Sequence, residues 1–488
     1  MLPIKRTLNS LISKAAQIAY PVNDQATIIE GQYLCDFTSS IASHIYHTYK
    51  KGEVSFGLFN PREIADGIFV NVNKHELIDK VTIGGQGEIE VTLSNRYLSN
   101  ALNSVLSNEK VLISSEIPQK TYSILLTGPT LDEGLELFHV RELLLSESMK
   151  KCNELLGIPT SSQFLFRNTI KSRSSQDSKE LNELSAAPQS FINSNLTDFI
   201  KNRFGLDFDF LCKRLKTNVT SIYASDLLQD KWLKSSENSD LIMNYFENKW
   251  VIDFINIAKT FAEGYKNIVY VVRQYEESYE ILKIIKEINN KITENLATKR
   301  LGEVLSVDRR LNDQPIHIVL DFFIGASLNH IPKCYDPDEL IMSAIKYSIL
   351  KKPFEETVLL NLDTVLKKTN KSFFGPIAVY NHLEQKLEAG NFSQKNREIP
   401  LKDIENSIEL RKLAIDLCLF PDAVFESSSN FSAQYLCDWL ERTSEKYMLV
   451  DTYLDKDMNP GMQKIVHTFF TKAFEIIGID AKSVLRKN

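Results

Sequence analysis

Apolar residues recur at helical spacing over most of the first 112 residues, and strict alternation appears near residue 80. The periodicity predicts helices over residues 7–19 and 36–49, and a third from Pro61, because proline suits a first helical turn. Two short strands, Lys80–Ile83 and Glu88–Leu93, are expected to follow. The pattern therefore predicts a compact α+β module at the start of the chain.

The segment between those two strands, Gly84-Gly85-Gln86-Gly87, invites comparison with a phosphate-binding loop. Loops of that kind present backbone N–H groups at the start of a helix. Here the glycines join one strand to another, so the sequence predicts a hairpin turn and no anion site.

Strands alternate with helices in the central part of the chain, which is typical of a parallel α/β sheet. A Gly/Pro-bearing loop over Thr127–Leu135 and a helix from Glu136 are expected after the first strand, and an amphipathic helix after the second. Arg167–Ser194 is rich in serine and charge and is expected to be a mobile insertion. The predicted strands are Tyr122–Leu126, Ile268–Val272 and Ile316–Leu320.

From about Asp338 onward the chain is almost wholly helical in pattern. Prolines and Gly-Pro pairs are expected to interrupt it at residues 353, 375–376, 421 and 460–461. The predicted helices are Leu340–Leu350, Ile377–Leu387, Ile404–Leu419, Ala433–Tyr453 and Met462–Ile477.

A length of 488 residues is too great for one ordinary core and favours about three domains. We expect boundaries that give an α+β module over residues 1–115, an α/β core over 116–337 and a helical domain over 338–488. The net charge of −6 excludes a uniformly basic surface, so any RNA contact must come from a local patch. Six scattered cysteines without a CxxC pair argue against a disulfide scaffold and a zinc ribbon.

No apolar run reaches the roughly 18 residues that a membrane helix needs, so a soluble protein without a membrane partner is expected. Residues 1–23 contain Lys5, Arg6 and Lys14 and no acid before Asp24, a mild likeness to a mitochondrial transit peptide. An ordinary first helix explains the same pattern. We therefore expect a cytoplasmic protein, with a mitochondrial location as the alternative.

The sequence contains few groups arranged for catalysis. His44 and His47 share a helix face, but no third metal ligand is near them in the pattern. No GxSxG, Walker, HExxH or Cys-His arrangement occurs. The residues by themselves therefore predict no cofactor and no metal site.

Several short segments nevertheless resemble arginyl-tRNA synthetases, in the order in which that family carries them. The resemblance implies an additional N-terminal domain, a class I synthetase-like Rossmann core and an all-α DALR anticodon-binding bundle. The segments are Gly31–Asp36, Asn60–Ala65, Val81–Ile89, Ile268–Gln274, Ser343–Leu350, Leu362-Asp363, Gly375-Pro376 with Tyr380, and Gln434–Leu436.

The family's HIGH-type catalytic motif is degenerate here. Pro129 leads, at the family's spacing, to Glu136, Phe138, His139 and Arg141, where the family has His-x-Gly-His and then Leu-Arg. A glutamate in place of the first histidine would set a negative charge beside the ATP phosphates, and a phenylalanine would fill the space that the glycine leaves for adenine. No KMSKS-like loop occurs over residues 321–340. We expect these five residues to be a remnant kept for packing, without catalytic residues among them.

A synthetase body without its ATP site is similar to the DALR anticodon-binding domain-containing protein 3 family. Local likenesses are Phe420-Pro421-Asp422, Ala378–Asn381 and Glu276-Glu277. That resemblance implies a non-catalytic adaptor that binds arginine tRNA and recruits a tRNA 3-methylcytidine methyltransferase to the anticodon loop. Two alternatives stay open: a divergent active arginyl-tRNA synthetase, possibly organellar, and an interaction scaffold that has lost RNA binding.

The resemblance places the tRNA contacts in the helical domain. Tyr380 is the one tyrosine kept from the family's Pro-Tyr-x-x-Tyr segment, and its expected role is stacking on an unpaired base. In the N-terminal module Glu88 and Glu90 replace a Phe and an Asn that meet the tRNA D-loop, so D-loop binding is expected to be weakened. The other candidate tRNA-binding residues are Asn381, His382, Tyr435, Arg442, Lys446 and Tyr447. The alternative for the last three is a core tyrosine beside a solvated charged face.

Overall fold

The computed structural model divides the chain into two compact units. The first unit contains residues 1–116, 378–426 and 439–472, and the second contains 117–377, 427–438 and 473–488. The three-domain division expected from the sequence stays a prediction. The described residues are 1–31, 35–50, 60–108, 111, 113, 121–130, 137–167, 267–273, 296–308, 311, 316–327, 331–332, 334–365, 369, 371–388, 398–453 and 458–485.

The secondary structure of the described residues is mixed in both units. The helices are α1 Ile4–Ala19, α2 Ile41–Lys50, α3 Pro61–Val70, α4 Asn95–Asn108, α5 Leu137–Leu155, α6 Ile316–Ser327, α7 Pro337–Leu350, α8 Leu362–Val365, α9 Phe374–Glu388, α10 Leu401–Asn406, α11 Ile408–Cys418, α12 Phe420–Asn430, α13 Gln434–Tyr453, α14 Pro460–Ile476 and α15 Ala481–Val484. The strands are β1 Ile28–Glu30, β2 Phe37–Ser39, β3 Ile78–Ile83, β4 Ile89–Leu93, β5 Tyr122–Thr130, β6 Thr160–Arg167, β7 Asn267–Val272, β8 Leu296–Arg300, β9 Val304–Ser306 and β10 Val358–Leu360.

The first unit contains a four-stranded antiparallel sheet in the order β1-β2-β4-β3. Ile89, Val91 and Leu93 alternate along β4 toward the core, which is the period of a half-buried strand. The predicted β3–β4 hairpin is confirmed. Its turn needs Gly87, because the backbone there has φ = +89° and a Cβ would lie 2.8 Å from the carbonyl carbon of Pro61.

The helix predicted from Asn60-Pro61 is confirmed. The Asn60 side chain accepts a hydrogen bond from the Glu63 N–H at 3.1 Å, and Pro61 is the first helical residue. The helix predicted over residues 36–49 is wrong at its start, because residues 37–39 pair with β4 as strand β2 and the helix begins at Ile41. Helix α4 was not anticipated from the sequence.

Helix α1 is capped at its N-terminus by a side chain that lies 418 positions later in the sequence. The Asp422 carboxylate accepts hydrogen bonds from the N–H groups of Ile4 at 2.7 Å and Lys5 at 2.9 Å. Burial raises the pKa of Asp422 to about 7, although the hydrogen bonds from the N–H groups of Ile4 and Arg6 oppose the rise. A buried side chain therefore satisfies donors that the helix itself leaves unpaired.

The second unit contains a parallel sheet in the order β6-β5-β7-β8, which confirms the predicted parallel α/β core. Strand β5 continues to Thr130, so the loop expected from Thr127 begins later than predicted. The strand predicted over Ile316–Leu320 is wrong, since these residues begin helix α6. A short apolar run fits a buried helix and a buried strand equally well, and periodicity cannot separate the two.

The helical character expected after residue 338 is confirmed in large part. Ser407 divides the predicted 404–419 helix, and its side chain caps the second half by accepting from the Leu410 N–H at 3.1 Å. The expected interruptions at Pro376, Pro421 and Pro460 coincide with helix boundaries, although the prolines themselves lie inside the first turns of α9, α12 and α14. Proline lacks the N–H that a first turn leaves unpaired, so it starts a helix without loss of a hydrogen bond.

Two predicted features lie outside the described residues. They are the amphipathic helix after Val272 and most of the insertion at Arg167–Ser194. In the part of the chain that the structure describes, no helix is both long enough and apolar enough to span a bilayer. Within the same ranges, no group of three or more His, Cys, Asp or Glu side chains is arranged to hold a metal ion.

Candidate functional site

The second unit has a candidate ligand crevice at the carboxyl ends of β5 and β7. From β5 the chain passes through α5 to β6 on one side, whereas β7 pairs with β5 on the other side. Loops on opposite faces of a parallel sheet separate at such a point, and α/β proteins bind their ligands there.

Phe138 in the first turn of α5 lies at this edge, and its side chain is only 2% exposed. Arg273, the residue after β7, places its guanidinium 5.2 Å from the centroid of the Phe138 ring, a cation–π distance. Glu303 holds the same guanidinium in a fork, with Nε–Oε1 at 2.6 Å and a second nitrogen–oxygen distance of 3.2 Å. A buried aromatic ring with an ion pair beside it therefore lies at this edge of the sheet.

Arg141, one turn farther along α5, is fully buried. Its guanidinium donates hydrogen bonds of 2.7 Å each to the backbone carbonyls of Gly302, Glu356 and Pro353. Burial lowers the pKa of this guanidinium to about 10. Because three carbonyl oxygens surround it, Arg141 ties α5 to two loops and has no open side toward a ligand.

The other remnant positions are only partly visible. His139 is buried and contacts Phe138 edge to face, with ring centroids 5.5 Å apart. Pro129 lies in strand β5, where only its backbone is described, and Glu136 lies outside the described residues. The described contacts of Phe138, His139 and Arg141 favour packing as their role.

The first unit brings together most of the residues predicted to bind tRNA. Tyr380 on α9 is 1% exposed and stacks on His467 of α14, with centroids 4.9 Å apart. Glu384 lies beside that histidine, with Nε2 of His467 and Oε2 of Glu384 2.6 Å apart. Tyr447 on α13 is fully buried, and burial raises the pKa of its hydroxyl. Neither tyrosine presents a ring face to solvent in this structure, so their expected stacking role would require repacking.

His382 lies at the border of this core. Its Nε2 lies 3.0 Å from a carboxylate oxygen of Asp451, and Lys386 approaches the other oxygen at 2.9 Å. Asn381 is half-buried and accepts a hydrogen bond from Gln385. These polar groups connect α9 with α13 and leave part of each side chain accessible.

Arg442 and Lys446 lie one turn apart on α13 and meet the same carboxylate. Asp416 is 1% exposed and lies 3.1 Å from Arg442 Nε and 2.7 Å from Lys446 Nζ. Burial raises the pKa of Asp416, while the two cations lower it. Arg442 also donates to Glu30 at 2.7 Å. Tyr435, in the first turn of the same helix, is half-buried.

Part of the chain is similar in sequence to arginine–tRNA ligases. No family model matches the chain. The chain is 28% identical over 165 residues to the cytoplasmic arginine–tRNA ligase of Bos taurus, which is 32% of this chain and 24% of that enzyme. It is 28% identical over 98 residues to the arginine–tRNA ligase of Hahella chejuensis, covering 20% of this chain and 17% of that enzyme. The aligned part therefore spans about a quarter or less of the curated relatives.

Solved structures match over almost the whole length. The arginyl-tRNA synthetase of Plasmodium falciparum gives a TM-score of 0.67 at 17% identity, covering 98% of both chains. The arginyl-tRNA synthetase of Thermus thermophilus gives 0.68 at 12% identity, covering 99% of this chain and 100% of that one. The chain has the arginyl-tRNA synthetase fold. The predicted class I synthetase-like core with a helical C-terminal region is confirmed.

Within this synthetase fold, the two glutamates of the N-terminal module are partly engaged. Glu90 accepts a hydrogen bond from the Thr82 hydroxyl at 2.9 Å, and Glu88 accepts one from the Gln86 N–H at 3.0 Å. Neither contact neutralises the charge, so two carboxylates remain in the β3–β4 hairpin.

Sequence reasoning did not identify four residues that shape the two regions of the synthetase fold. Arg273 and Glu303 cover Phe138, and Glu384 holds His467 on Tyr380. Each pair joins residues that lie dozens of positions apart along the chain. The sequence pattern contains no local signal for such contacts.

Proposed function

We propose that this protein binds arginine tRNA without aminoacylating it and recruits a tRNA 3-methylcytidine methyltransferase to the anticodon loop. The synthetase fold and the partial similarity to arginine–tRNA ligases support the tRNA part of the proposal. The methyltransferase part is supported by the sequence resemblance to the DALR anticodon-binding domain-containing protein 3 family.

The observation that carries the absence of aminoacylation is the buried Phe138 ring. A nucleotide needs an open crevice at the carboxyl ends of β5 and β7, and the ring with Arg273 above it takes up room there. Catalysis of adenylate formation also needs positive or donor groups aimed at the phosphates, and losing one such donor typically costs about a hundredfold in rate. A glutamate at position 136 supplies the opposite charge.

RNA binding is supported by the cationic face of α13. The side chains of Arg442 and Lys446 stay 35% and 28% exposed while they pair with Asp416. Phosphate contacts from such side chains position a nucleic acid without reading its sequence. They also make affinity fall steeply with salt.

Two measurements on the purified full chain test the central claim. Arginine- and tRNA-dependent ATP–pyrophosphate exchange is expected to stay at background, while arginine tRNA is retained on a filter in a salt-dependent manner. Exchange above background would favour the active ligase, which the names of the curated relatives support. Absence of both exchange and retention would favour an interaction scaffold.

The adaptor role has its own test. A purified tRNA 3-methylcytidine methyltransferase is incubated with an arginine tRNA transcript, with and without this protein, and 3-methylcytidine is counted. A rise in yield with arginine tRNA, and none with a serine tRNA, is expected. Equal yields with and without the protein would refute recruitment and leave tRNA binding untouched.

A further inference from the structure

The charged cluster around Arg442 resembles an anion-binding site, and a carboxylate of the same chain occupies it. Buried Asp416 binds Arg442 through Nε at 3.1 Å, so the far edge of the guanidinium points away from the core. Lys446 on the next turn of α13 contacts the other oxygen of Asp416 at 2.7 Å. Asp416 therefore fixes the arginine side chain from the core side, and this lowers the entropy cost of binding an anion on the exposed side of the guanidinium.

The anion on the exposed side of the Arg442 guanidinium is the carboxylate of Glu30, at the end of strand β1. Its Oε1 lies 2.7 Å from the Arg442 guanidinium and 3.9 Å from Lys5 Nζ on helix α1. The Glu30 side chain is 47% exposed. An exposed ion pair of this kind contributes little to stability, so its carboxylate can leave by a change of rotamer.

The charges of the cluster favour an anion at the place that Glu30 takes. Lys5, Arg442 and Lys446 supply three positive charges; buried Asp416 faces Arg442 and Lys446, and buried Asp422 lies near Lys5. Without Glu30 the accessible side of the cluster would carry uncompensated arginine and lysine. A phosphodiester has the charge and the oxygen geometry that an arginine fork and a nearby lysine bind.

We propose that Glu30 acts as an internal substitute for an RNA phosphate, and that bound tRNA displaces it to contact Arg442 and Lys5. This inference rests on the proposed tRNA binding. Glu30 then weakens binding to any RNA and raises the affinity that a correct tRNA must reach through its other contacts. The contact between Glu30 and Arg442 would thus regulate RNA binding, and it is unrelated to the crevice of the parallel sheet.

The test uses Glu30→Gln in the full chain, with Glu405→Gln as the matched control. Glu405 lies on α10 in the same unit, is exposed, and makes no ion pair among the described contacts, so both variants remove one negative charge. Arginine tRNA binding is measured by filter retention from 0.05 to 0.3 M salt, about the range where phosphate contacts change affinity most. Thermal melting followed by circular dichroism verifies that both variants are folded.

Glu30→Gln is expected to bind about threefold tighter or more than Glu405→Gln at low salt, because one self-competing anion is gone. The plot of log affinity against log salt should steepen by about 0.7–0.9, the value of one additional phosphate contact. Adding Lys5→Gln to Glu30→Gln should remove a large part of the gain.

Equal affinity and equal salt slope for the two variants, with wild-type protein still binding tRNA, would overturn the Glu30 inference and leave the proposed function standing. If wild-type protein and both variants all fail to retain tRNA, the proposed function fails, and the Glu30 inference fails with it. The two failures are therefore separable in one experiment.

Discussion

The guanidinium of Arg273 lies 5.2 Å above the ring of Phe138, and Glu303 holds it in that position. The contact joins the first turn of α5 to the end of β7, the two elements that border the crevice of the parallel sheet. A glycine at position 138 would leave that space open. The phenylalanine instead makes the edge part of the core of the second unit.

Replacing Phe138 by alanine is expected to destabilise the protein by about 3–5 kcal/mol, since a buried aromatic side chain is lost and a cavity remains. Phe138→Leu should cost clearly less, because it keeps most of the volume. Urea unfolding followed by tryptophan fluorescence measures both. A cost below about 1 kcal/mol for the alanine variant would contradict the packing role.

Arg141→Met is expected to lower the free energy of unfolding by several kcal/mol, because the buried Gly302 carbonyl and the partly buried carbonyls of Pro353 and Glu356 lose their donor. The stability of Arg141→Lys should lie between those of Arg141→Met and wild type, since one ammonium group cannot reproduce the hydrogen bonds of the guanidinium. The control is Lys150→Met on the same helix, whose side chain is 36% exposed and makes only a long 3.8 Å contact with Glu147 among the described contacts; a change within about 0.5 kcal/mol is expected. Chemical denaturation curves for all three variants give the comparison.

The cap that Asp422 gives to α1 is expected to depend on pH. Its folded pKa of about 7 lies above the unfolded value of 3.8, so its contribution to stability is fully present below pH 4 and is lost as pH rises to about 7. Asp422→Asn removes that titration. The difference in unfolding free energy between wild type and variant should therefore move against wild type between pH 4 and 7, at about 1.4 kcal/mol per unit of pKa shift. A pH-independent difference would refute the raised pKa.

Exchanging Glu88 for Phe and Glu90 for Asn is expected to raise affinity for arginine tRNA, because two carboxylates that repel phosphates leave the β3–β4 hairpin. Glu90→Asn also loses the hydrogen bond from Thr82, so a small loss of stability is expected beside the gain in affinity. Filter binding at fixed low salt measures the effect. The control is Glu76→Gln, an exposed carboxylate before β3. A fall in affinity for the double variant would contradict the idea.

The sequence predicted those parts of the fold in which neighbours along the chain decide the structure. The Asn60-Pro61 helix start depends on a side chain and an N–H three residues apart. The β3–β4 hairpin depends on a glycine turn between two alternating strands. In contrast, residues 37–39 became a strand, because pairing with β4 outweighs weak local preferences. Residues 316–320 became the start of a helix, in which Val319 and Leu320 are buried.

The candidate site shows the same division. The sequence identified Phe138, Arg442 and Lys446 as unusual or cationic positions, but it assigned Tyr380 an open ring that the structure buries under His467. No pattern placed Arg273 over Phe138. Such contacts depend on packing between elements, and a one-dimensional period carries no information about it.

By itself, therefore, the sequence determined the periods, the helix starts, the hairpin turn and the parallel α/β alternation, because hydrogen bonds and apolar faces within a few residues fix them. Only the tertiary structure decided which charge meets which. Asp422 caps a helix 418 positions away, and Glu30 meets Arg442 across 412 positions. Partners so distant are selected by the packing of the whole unit. A buried carboxyl such as Asp422 also needs its hydrogen-bond donors, because an unpaired polar group is costly in a low-dielectric interior, whereas the exposed Glu30 meets Arg442 because packing brings β1 to α13.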